Sequence, residues 1–300
     1  MKHPSPIGSG IVVVDKPAGI TSHDVVGRIR RLAGTRRVGH AGTLDPMATG
    51  VLVIGVDRAT RLLGHLALTT KAYDATIRLG VSTDTDDGDG EVTSSYLTRA
   101  VTDEDIQAGI SALTGDIEQV PSAVSAVKVA GRRSYARVRA GESVTLAHRP
   151  VTVHRFDLRS VRRVGDVIDL DVSVVCSAGT YIRSLARDLG ARLGVGGHLT
   201  RLRRTRAGCY SVDDAHTLDE LATQFALISL DEAAAGVFPR RDVDATDAVR
   251  LTHGARLPAA GIDQLYAAFG PDGTFLALLE DDGNVAKPVA VFAPPSDTGH

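Results

Sequence analysis

Two long stretches of alternating polar and apolar residues, which meet at a single glycine, constrain the fold of this chain most strongly. Residues Val151–Val164 and Asp166–Cys176 lie on either side of Gly165, and this pattern predicts two long antiparallel strands. The other apolar segments are joined by hairpins and helices without regular βαβ alternation. The pattern is therefore typical of a mixed α+β domain.

The remaining elements follow from short apolar runs and from helix-capping residues. Thr21 or Ser22 is expected to cap a helix that stops at Gly34, and Thr102–Asp105 resembles a capping box. The helices are expected at about residues 22–33, 59–68, 102–113, 134–140 and 180–193. The further strands are expected at residues 10–15, 51–56, 71–80, 126–130 and 203–212, with a loop at 36–48.

The composition changes near residues 237–247, and the segment that follows is short and rich in predicted strands. Apolar stretches at Tyr266–Phe269, Phe275–Leu279 and Val289–Phe292 are separated by turns that contain Asp and Gly. We therefore expect two domains, at residues 1–236 and 237–300.

Length and hydropathy exclude several classes of protein. The chain has 300 residues, enough for one large domain and a small one, and its apolar runs are no longer than a strand. The N-terminal residues contain no apolar segment of the signal-peptide type. These features predict a cytoplasmic protein without membrane association.

Arginines are concentrated in three runs, although the formal net charge is −2. Segregated charge of this kind can bind phosphates locally, and the alternative is a set of solvated helix faces. The balancing acidic residues lie elsewhere, at 84–91 and 213–247. The runs are Arg28, Arg30, Arg31, Arg36 and Arg37, then Arg132, Arg133, Arg137 and Arg139, then Arg201, Arg203, Arg204 and Arg206.

Asp45 stands in a glycine-containing loop between a predicted helix and a predicted buried strand. Gly39 and Gly42 permit close approach of the backbone, and Pro46 restricts Asp45 to extended geometry. Reactive groups concentrate on such loops when a rigid scaffold carries them. By spacing alone, however, an Asp that hydrogen-bonds its own turn is the favoured interpretation.

Two further segments carry candidate site residues. The acidic loop at 83–90 lacks the ligand spacing of a calcium loop, so a solvated loop is favoured over a phosphate-coordinated magnesium site. Tyr181 and Arg183 begin a predicted helix, and from its exposed end Arg183 can pair with a carboxylate from another loop and keep it ionised. The sequence has no P-loop, dinucleotide fingerprint or Ser-His-Asp signature, so no cofactor and no metal is expected.

Several stretches, taken together, resemble one family. They are Asp15–Ser22, Gly39–Leu52, Lys71–Tyr73, Leu79–Gly80, Thr83–Asp87, Gln119–Ala123 with Lys128, Gly179–Arg183 and Leu202–Thr205. In this order they resemble the bacterial tRNA pseudouridine-55 synthases of TruB type, over roughly the first 210 residues. The resemblance implies a pseudouridine synthase fold, with a mixed, mainly antiparallel central sheet flanked by helices. The tail is similar to the small β-rich PUA domain, an RNA-binding module, of these enzymes.

The resemblance also implies a reaction, the isomerisation of uridine to pseudouridine at U55 in the T-loop of tRNA. No cofactor is implied, because no atoms are gained or lost. Asp45 matches the family's catalytic Asp, a nucleophile at ribose C1′ or a base at C2′, and Arg183 matches the Arg that pairs with it. Tyr73 matches the aromatic that stacks on the flipped uracil and takes its proton. His40 matches the residue that fills the vacated space.

The remaining matches concern RNA binding. Tyr181 and Leu202 match residues that line the uracil pocket, and Asp87 matches an acid that binds the target. Basic residues expected near the RNA are Lys16, Lys128, Arg203 and Arg204. The partner is thus the T-stem-loop of tRNA, bound by a monomer that needs no obligatory protein partner.

Two other functions are open at this point. One is an RNA-binding chaperone that folds tRNA without chemistry, which the arginine runs and the PUA-like tail favour. The other is a related synthase that acts on rRNA or at guide-directed sites with partner proteins. The matches at Asp45, Tyr73 and Arg183 count against a pure binding protein.

Overall fold

The computed structural model describes residues 8–122 and 147–292, together with the backbone of Lys128–Val129 and Arg132–Arg133. The strands of this part are β1 Gly10–Lys16, β2 Val38–His40, β3 Thr49–Val56, β4 Lys71–Leu79, β5 Val81–Thr83, β6 Val92–Ser95, β7 Gly115–Gln119, β8 Lys128–Val129, β9 Arg132–Arg133, β10 Arg149–Val164, β11 Val167–Cys176, β12 Gly197–Ala207, β13 Tyr210–Ser211, β14 Ile228–Ser229, β15 Arg240–Asp242, β16 Leu257–Pro258, β17 Tyr266–Phe269, β18 Phe275–Asp282 and β19 Val285–Val291. The α-helices are α1 Ser22–Ala33, α2 Leu63–Ala67, α3 Asp103–Ala112, α4 Ile182–Arg192, α5 Leu218–Thr223, α6 Leu230–Val237 and α7 Ala245–Thr252.

A ten-stranded sheet dominates the described residues. Its strands follow the order β14-β1-β3-β12-β4-β11-β10-β7, with β2 added to β3 and β13 to β12. The long β10–β11 hairpin is antiparallel, and β12 runs parallel to β3, so the sheet is mixed but mainly antiparallel. The predicted α+β class and central sheet are confirmed.

The predicted helix ends are confirmed where capping residues mark them. Thr21 caps α1 by accepting from the Asp24 backbone N–H, and Gly34 ends the helix in the left-handed region at φ 65°. Thr102 and Asp105 form the predicted capping box at the start of α3.

Three predicted boundaries are wrong. The expected loop at 36–48 contains β2, which pairs with β3. The expected helix at 59–68 divides into a 3₁₀ turn at Asp57–Arg61 and the short α2. The expected strand at 203–212 begins earlier, at Gly197, and a turn at Gly208–Cys209 divides it into β12 and β13. The expected helix at 134–140, and most of the expected strand at 126–130, lie outside the described residues.

The large sheet is apolar on both faces near β1 and β3. On one face Val12, Val14 and Leu52 pack with helix α1 in the main core. On the opposite face Ile11 and Val53 join a second core. Strand alternation explains both, because neighbouring residues of β1 point to opposite sides of the sheet.

The C-terminal segment covers that second face. Its strands form a five-stranded sheet in the order β15-β17-β18-β19-β16. Phe269, Phe275 and Phe292 pack into the second core, whereas Tyr266 and Leu279 belong to a separate small core with α7. The β-rich C-terminal domain is confirmed, and its docking was not predicted.

Polar contacts reinforce the docking of the C-terminal sheet. The Arg58 guanidinium donates to the Phe292 carbonyl at 2.8 Å, and the Arg61 guanidinium donates to the Val291 carbonyl at 2.7 Å. The Asp231 carboxylate accepts from the Phe275 backbone N–H at 2.7 Å. Within the described residues, no helix has both the length and the apolar character needed to span a membrane.

Candidate active site

The loop that carries Asp45 is fixed by buried polar groups beneath it. The Lys16 ammonium, fully buried, donates to the carbonyls of Pro17, Pro46 and Ala48 at 2.9, 3.2 and 2.6 Å. Burial lowers the pKa of Lys16 to about 8, an effect that the nearby Asp45 opposes. The lysine therefore shapes the turn that carries Asp45.

A serine of helix α1 holds the other side of the loop. The Ser22 hydroxyl donates to the Leu44 carbonyl at 3.0 Å and accepts from the Leu44 backbone N–H at 2.9 Å. Both peptide groups of Leu44, the residue before Asp45, are thus satisfied by one side chain of a helix. The Asp45 backbone is consequently held on two sides by regular elements.

Arg204 reaches under the same loop from strand β12. It is 1% exposed, and its guanidinium donates to the carbonyls of Val51 and Gly42 at 2.7 and 3.1 Å. Close passage of β12 and β3 makes this reach possible. At Gly50, where φ is 98°, an added Cβ would lie 2.2 Å from the Arg204 carbonyl oxygen.

Replacing Gly50 by Ala is expected to destabilise the protein by about 2–5 kcal/mol. A positive φ costs an L-residue about 1–2 kcal/mol, and overpacking adds about 1–3 kcal/mol. Denaturant unfolding checks this, with Gly64→Ala as the control, since an added Cβ at Gly64 meets nothing within 4 Å. Equal stabilities of the two variants would contradict the close approach.

Arg183 joins Asp45 to the acidic loop. Its Nε lies 3.0 Å from Asp45 Oδ2 and its Nη2 donates to Asp45 Oδ1 at 3.2 Å. Its Nη1 lies 3.3 Å from Asp87 Oδ2 and donates to the Thr85 carbonyl at 2.8 Å. The arginine side chain is 5% exposed, so this is a buried, charge-assisted junction.

The Asp45 side chain is not fully covered by this junction, since 33% of it is exposed. Burial of its carboxyl group raises the pKa of Asp45, whereas the Arg183 guanidinium opposes the rise. Asp87 also raises the pKa of Asp45, because it is a second negative charge nearby. The Arg183 guanidinium, with a smaller effect from the Lys16 ammonium, therefore favours an ionised Asp45.

Asp45 and Arg183 line a cleft of about 240 Å³. Tyr73 from β4, Tyr181 before α4 and Leu202 from β12 supply its aromatic and apolar walls. Burial raises the pKa of Tyr73, and Arg204 opposes that rise, so the phenol stays neutral near pH 7. A flat, weakly polar ligand with one reactive centre beside Asp45 fits these walls.

Comparisons with known proteins decide the family. The model of the N-terminal domain of TruB family pseudouridylate synthases matches residues 30–182. A tRNA pseudouridine synthase B from Arthrobacter sp. (strain FB24) is 58% identical over 300 residues, which is 96% of this chain and 98% of the relative. This chain belongs to the TruB family. Models of the C-terminal parts of tRNA pseudouridylate synthase B and tRNA pseudouridine synthase II match residues 183–238 and 238–293.

Two more similarities extend this result. A tRNA pseudouridine synthase B from Thermobifida fusca (strain YX) is 59% identical over 96% of this chain and 99% of its own. Among solved structures, a chain of a Cbf5-Nop10-Gar1 complex is similar with a TM-score of 0.73 and 27% identity. That match covers 95% of this chain and 85% of the other. The structural similarity therefore extends into the C-terminal sheet.

The structure brings together most residues that the resemblance to the TruB family selected. Asp45, Tyr73, Tyr181, Arg183 and Leu202 line the cleft, and Asp87 contacts Arg183 from below. His40 ends strand β2, two residues before the cleft-lining Gly42, and is not itself among the lining residues. The side chain of Lys128 lies outside the described residues.

The burial and the contacts of the basic residues change the expectation that they bind RNA. Lys16 is fully buried and faces backbone carbonyls, so it is not accessible to phosphates. Arg204 is buried beneath the cleft loop but also lines the cleft, so contact with the target stays a prediction for this residue. Arg203 points to the opposite face of the sheet, where it forms a bidentate pair with Asp15 at 3.0 and 2.8 Å. The expected exposure of Arg183 is also wrong, because its helix start is covered by the acidic loop.

Three residues of the site were missed by sequence reasoning. Lys71 lines the cleft, and its ammonium donates to the carbonyls of Ala67 and Thr69, while burial lowers its pKa to about 8. Ser122 accepts from Arg183 Nη1 at 3.3 Å. Gln119 holds the Tyr181 backbone. All three lie in sequence stretches that carry the family resemblance. The sequence pattern did not indicate which residues they contact.

Proposed function

We propose that this chain isomerises uridine to pseudouridine in tRNA, at U55 of the T-loop, without a cofactor and as a monomer in the cytoplasm. The observation that carries the proposal is the pairing of Asp45 with Arg183 at the floor of a cleft walled by Tyr73, Tyr181 and Leu202. Relatives that are 57–59% identical over nearly their full length bear the name tRNA pseudouridine synthase B.

The proposed reaction needs one ionised carboxylate and a place for the free base to turn. The bond from uracil N1 to ribose C1′ breaks, the base rotates, and a bond from C5 to C1′ forms. The C5 proton is then lost and N1 gains one, so no atoms enter or leave. Asp45 acts either as nucleophile at C1′ or as base at C2′, and Arg183 favours the required charge in both cases.

The base must leave the RNA stack before Asp45 can reach its sugar. Tyr73 is proposed to stack on the flipped uracil, which is worth about 1–3 kcal/mol per base, and to take the C5 proton in its phenolate form, which the neighbouring Arg204 guanidinium favours. Tyr181 and Leu202 are proposed as pocket walls, and His40 as the group that fills the vacated position. Asp87 is proposed to act on the target through its contact with Arg183.

Nucleotide-resolved mapping of pseudouridine in total tRNA treated with the protein tests the function. We expect one new site, in the T-loop, and the same modification of a bare T-stem-loop without partner proteins. Modification only with added guide RNA and proteins would favour a guide-directed synthase. Refolding of tRNA with no pseudouridine formed would favour a chaperone without chemistry.

RNA affinity is expected to depend steeply on salt through the first arginine run. Arg31 and Arg36 are exposed, at the end of α1 and before β2. Each of Arg31→Gln and Arg36→Gln is expected to reduce the slope of log Kd against log salt by about one. Arg203→Gln is the control, since Arg203 pairs with Asp15 on the opposite face. An unchanged slope in the first two variants would contradict this assignment.

A further inference from the structure

A glutamine outside the cleft holds the backbone of one of the cleft walls. Gln119 ends strand β7 and is 1% exposed. Its Oε1 accepts from the Tyr181 backbone N–H at 2.7 Å, and its Nε2 donates to the Tyr181 carbonyl at 3.0 Å. One side-chain amide thus satisfies both backbone groups of a residue 62 positions away in the chain.

This pair of hydrogen bonds restrains the backbone from which the Tyr181 side chain projects. Tyr181 is the residue before helix α4, it has extended backbone angles, and its side chain makes no capping bond. Its carbonyl also accepts from Leu185 in the first turn of the helix. With both flanking peptide groups held, the Cα–Cβ bond of Tyr181 can take only a narrow range of directions.

The residues that follow Gln119 contact side chains of helix α4. The Val120 carbonyl accepts from the Arg187 guanidinium at 2.8 Å. The Ser122 hydroxyl donates to the Thr85 carbonyl at 3.0 Å and accepts from Arg183 at 3.3 Å. Residues 119–122 therefore contact both Tyr181, which precedes α4, and Arg183, which lies in its first turn. They also connect this end of the helix to the acidic loop.

We propose that Gln119 is a positioning residue for the isomerisation, acting through Tyr181. This proposal rests on the proposed function, because it concerns how the uracil is positioned for that reaction. Gln119 does not line the cleft, so its effect on the reaction is indirect. If Tyr181 is misoriented, the uracil is displaced from Asp45. Displacements of about 1 Å can lower the rate about 100-fold.

The test uses Gln119→Met, which keeps the length of the side chain and removes both hydrogen bonds. With enzyme in excess over a T-stem-loop RNA, the saturating single-turnover rate constant is expected to fall about 10- to 100-fold. The Kd for the RNA is expected to change less than about threefold, because the phosphate contacts remain. Gln107→Met on the exposed surface of α3 is the matched control and should leave the rate constant unchanged.

A purely structural role would give a different pattern. Partial unfolding lowers the amount of active enzyme and moves the half-saturation point, whereas the saturating rate constant stays the same. A saturating rate constant within twofold of wild type in Gln119→Met would overturn the proposal. A wild-type enzyme that forms no pseudouridine would instead overturn the proposed function, so the two failures are distinguishable.

A double variant checks that the effect passes through Tyr181. In a Tyr181→Ala background, the further change Gln119→Met is expected to alter the rate constant less than about threefold, because the wall that Gln119 orients is absent. Independent, multiplying effects would contradict action through Tyr181. Gln119→Leu serves if Gln119→Met folds poorly, since it also lacks both the acceptor and the donor of the amide, and its rate constant is also expected to fall.

Discussion

Asp45→Asn is expected to lower pseudouridine formation by a factor on the order of 10⁴ or more, the scale seen when an essential nucleophile is removed. The amide has nearly the shape of the carboxylate, but it neither attacks C1′ nor removes a proton from C2′. The expected result is therefore the same for both chemical routes. Single-turnover assays on a T-stem-loop RNA, read by nucleotide-resolved mapping, measure it.

Binding of the RNA should survive this change. Asp45 presents one carboxylate at the floor of the cleft, whereas affinity for RNA comes mainly from phosphate contacts and base stacking. We expect the Kd of Asp45→Asn to lie within about threefold of wild type. Asp74→Asn is the matched control, because Asp74 is exposed and accepts from the Ser173 hydroxyl at 2.8 Å. An active Asp45→Asn enzyme would contradict the assignment of Asp45 as the catalytic residue.

The arginine run on β12 shows what sequence reasoning gained and lost. Four arginines without an acidic neighbour indicate a positive surface only if their side chains share a face. The residues lie on a strand, so Arg204 points under the cleft loop and Arg203 points to the other face, toward Asp15. The predicted strand at 203–212 already contained both residues, so strand alternation alone was enough to predict this division.

Other features follow from contacts between residues that are distant in the chain. Lys16 follows an apolar run and precedes a turn, and nothing in that pattern indicates that three backbone carbonyls surround its ammonium. The apolar run Ile11–Val14 correctly predicts a strand buried on both faces. Which element covers the second face depends on the aromatic residues of the C-terminal sheet, more than 250 positions later.

The pairing of Asp45 with Arg183 was expected only through the family resemblance. Spacing alone favours a side-chain hydrogen bond from Asp45 to its own turn, whereas in the structure its carboxylate pairs with Arg183 and its backbone carbonyl accepts from the Ala48 N–H at 3.1 Å. What the geometry adds is Thr85, Asp87 and Ser122, which complete the surroundings of Arg183.

Removal of Arg183 is expected to affect both activity and stability. Arg183→Met leaves the buried Asp87 and the partly buried Asp45 without the guanidinium between them. Breaking a buried pair by removing one partner costs about 3–5 kcal/mol, so the free energy of unfolding should fall by about that amount. Arg192→Met is the control, since Arg192 is exposed at the end of the same helix.

The pH dependence of the remaining activity separates the electrostatic role of Arg183 from its structural role. Burial raises the pKa of Asp45 and Arg183 opposes that rise, so the variant should have a still higher Asp45 pKa. Because the ionised form reacts, activity is lost as pH falls through this pKa, and the acid limb of the pH–rate profile should move to higher pH. Arg183→Lys keeps a positive charge but loses the two-point contact, and it should move the limb less. A lower rate with an unmoved acid limb would mean that Arg183 positions Asp45 without controlling its charge.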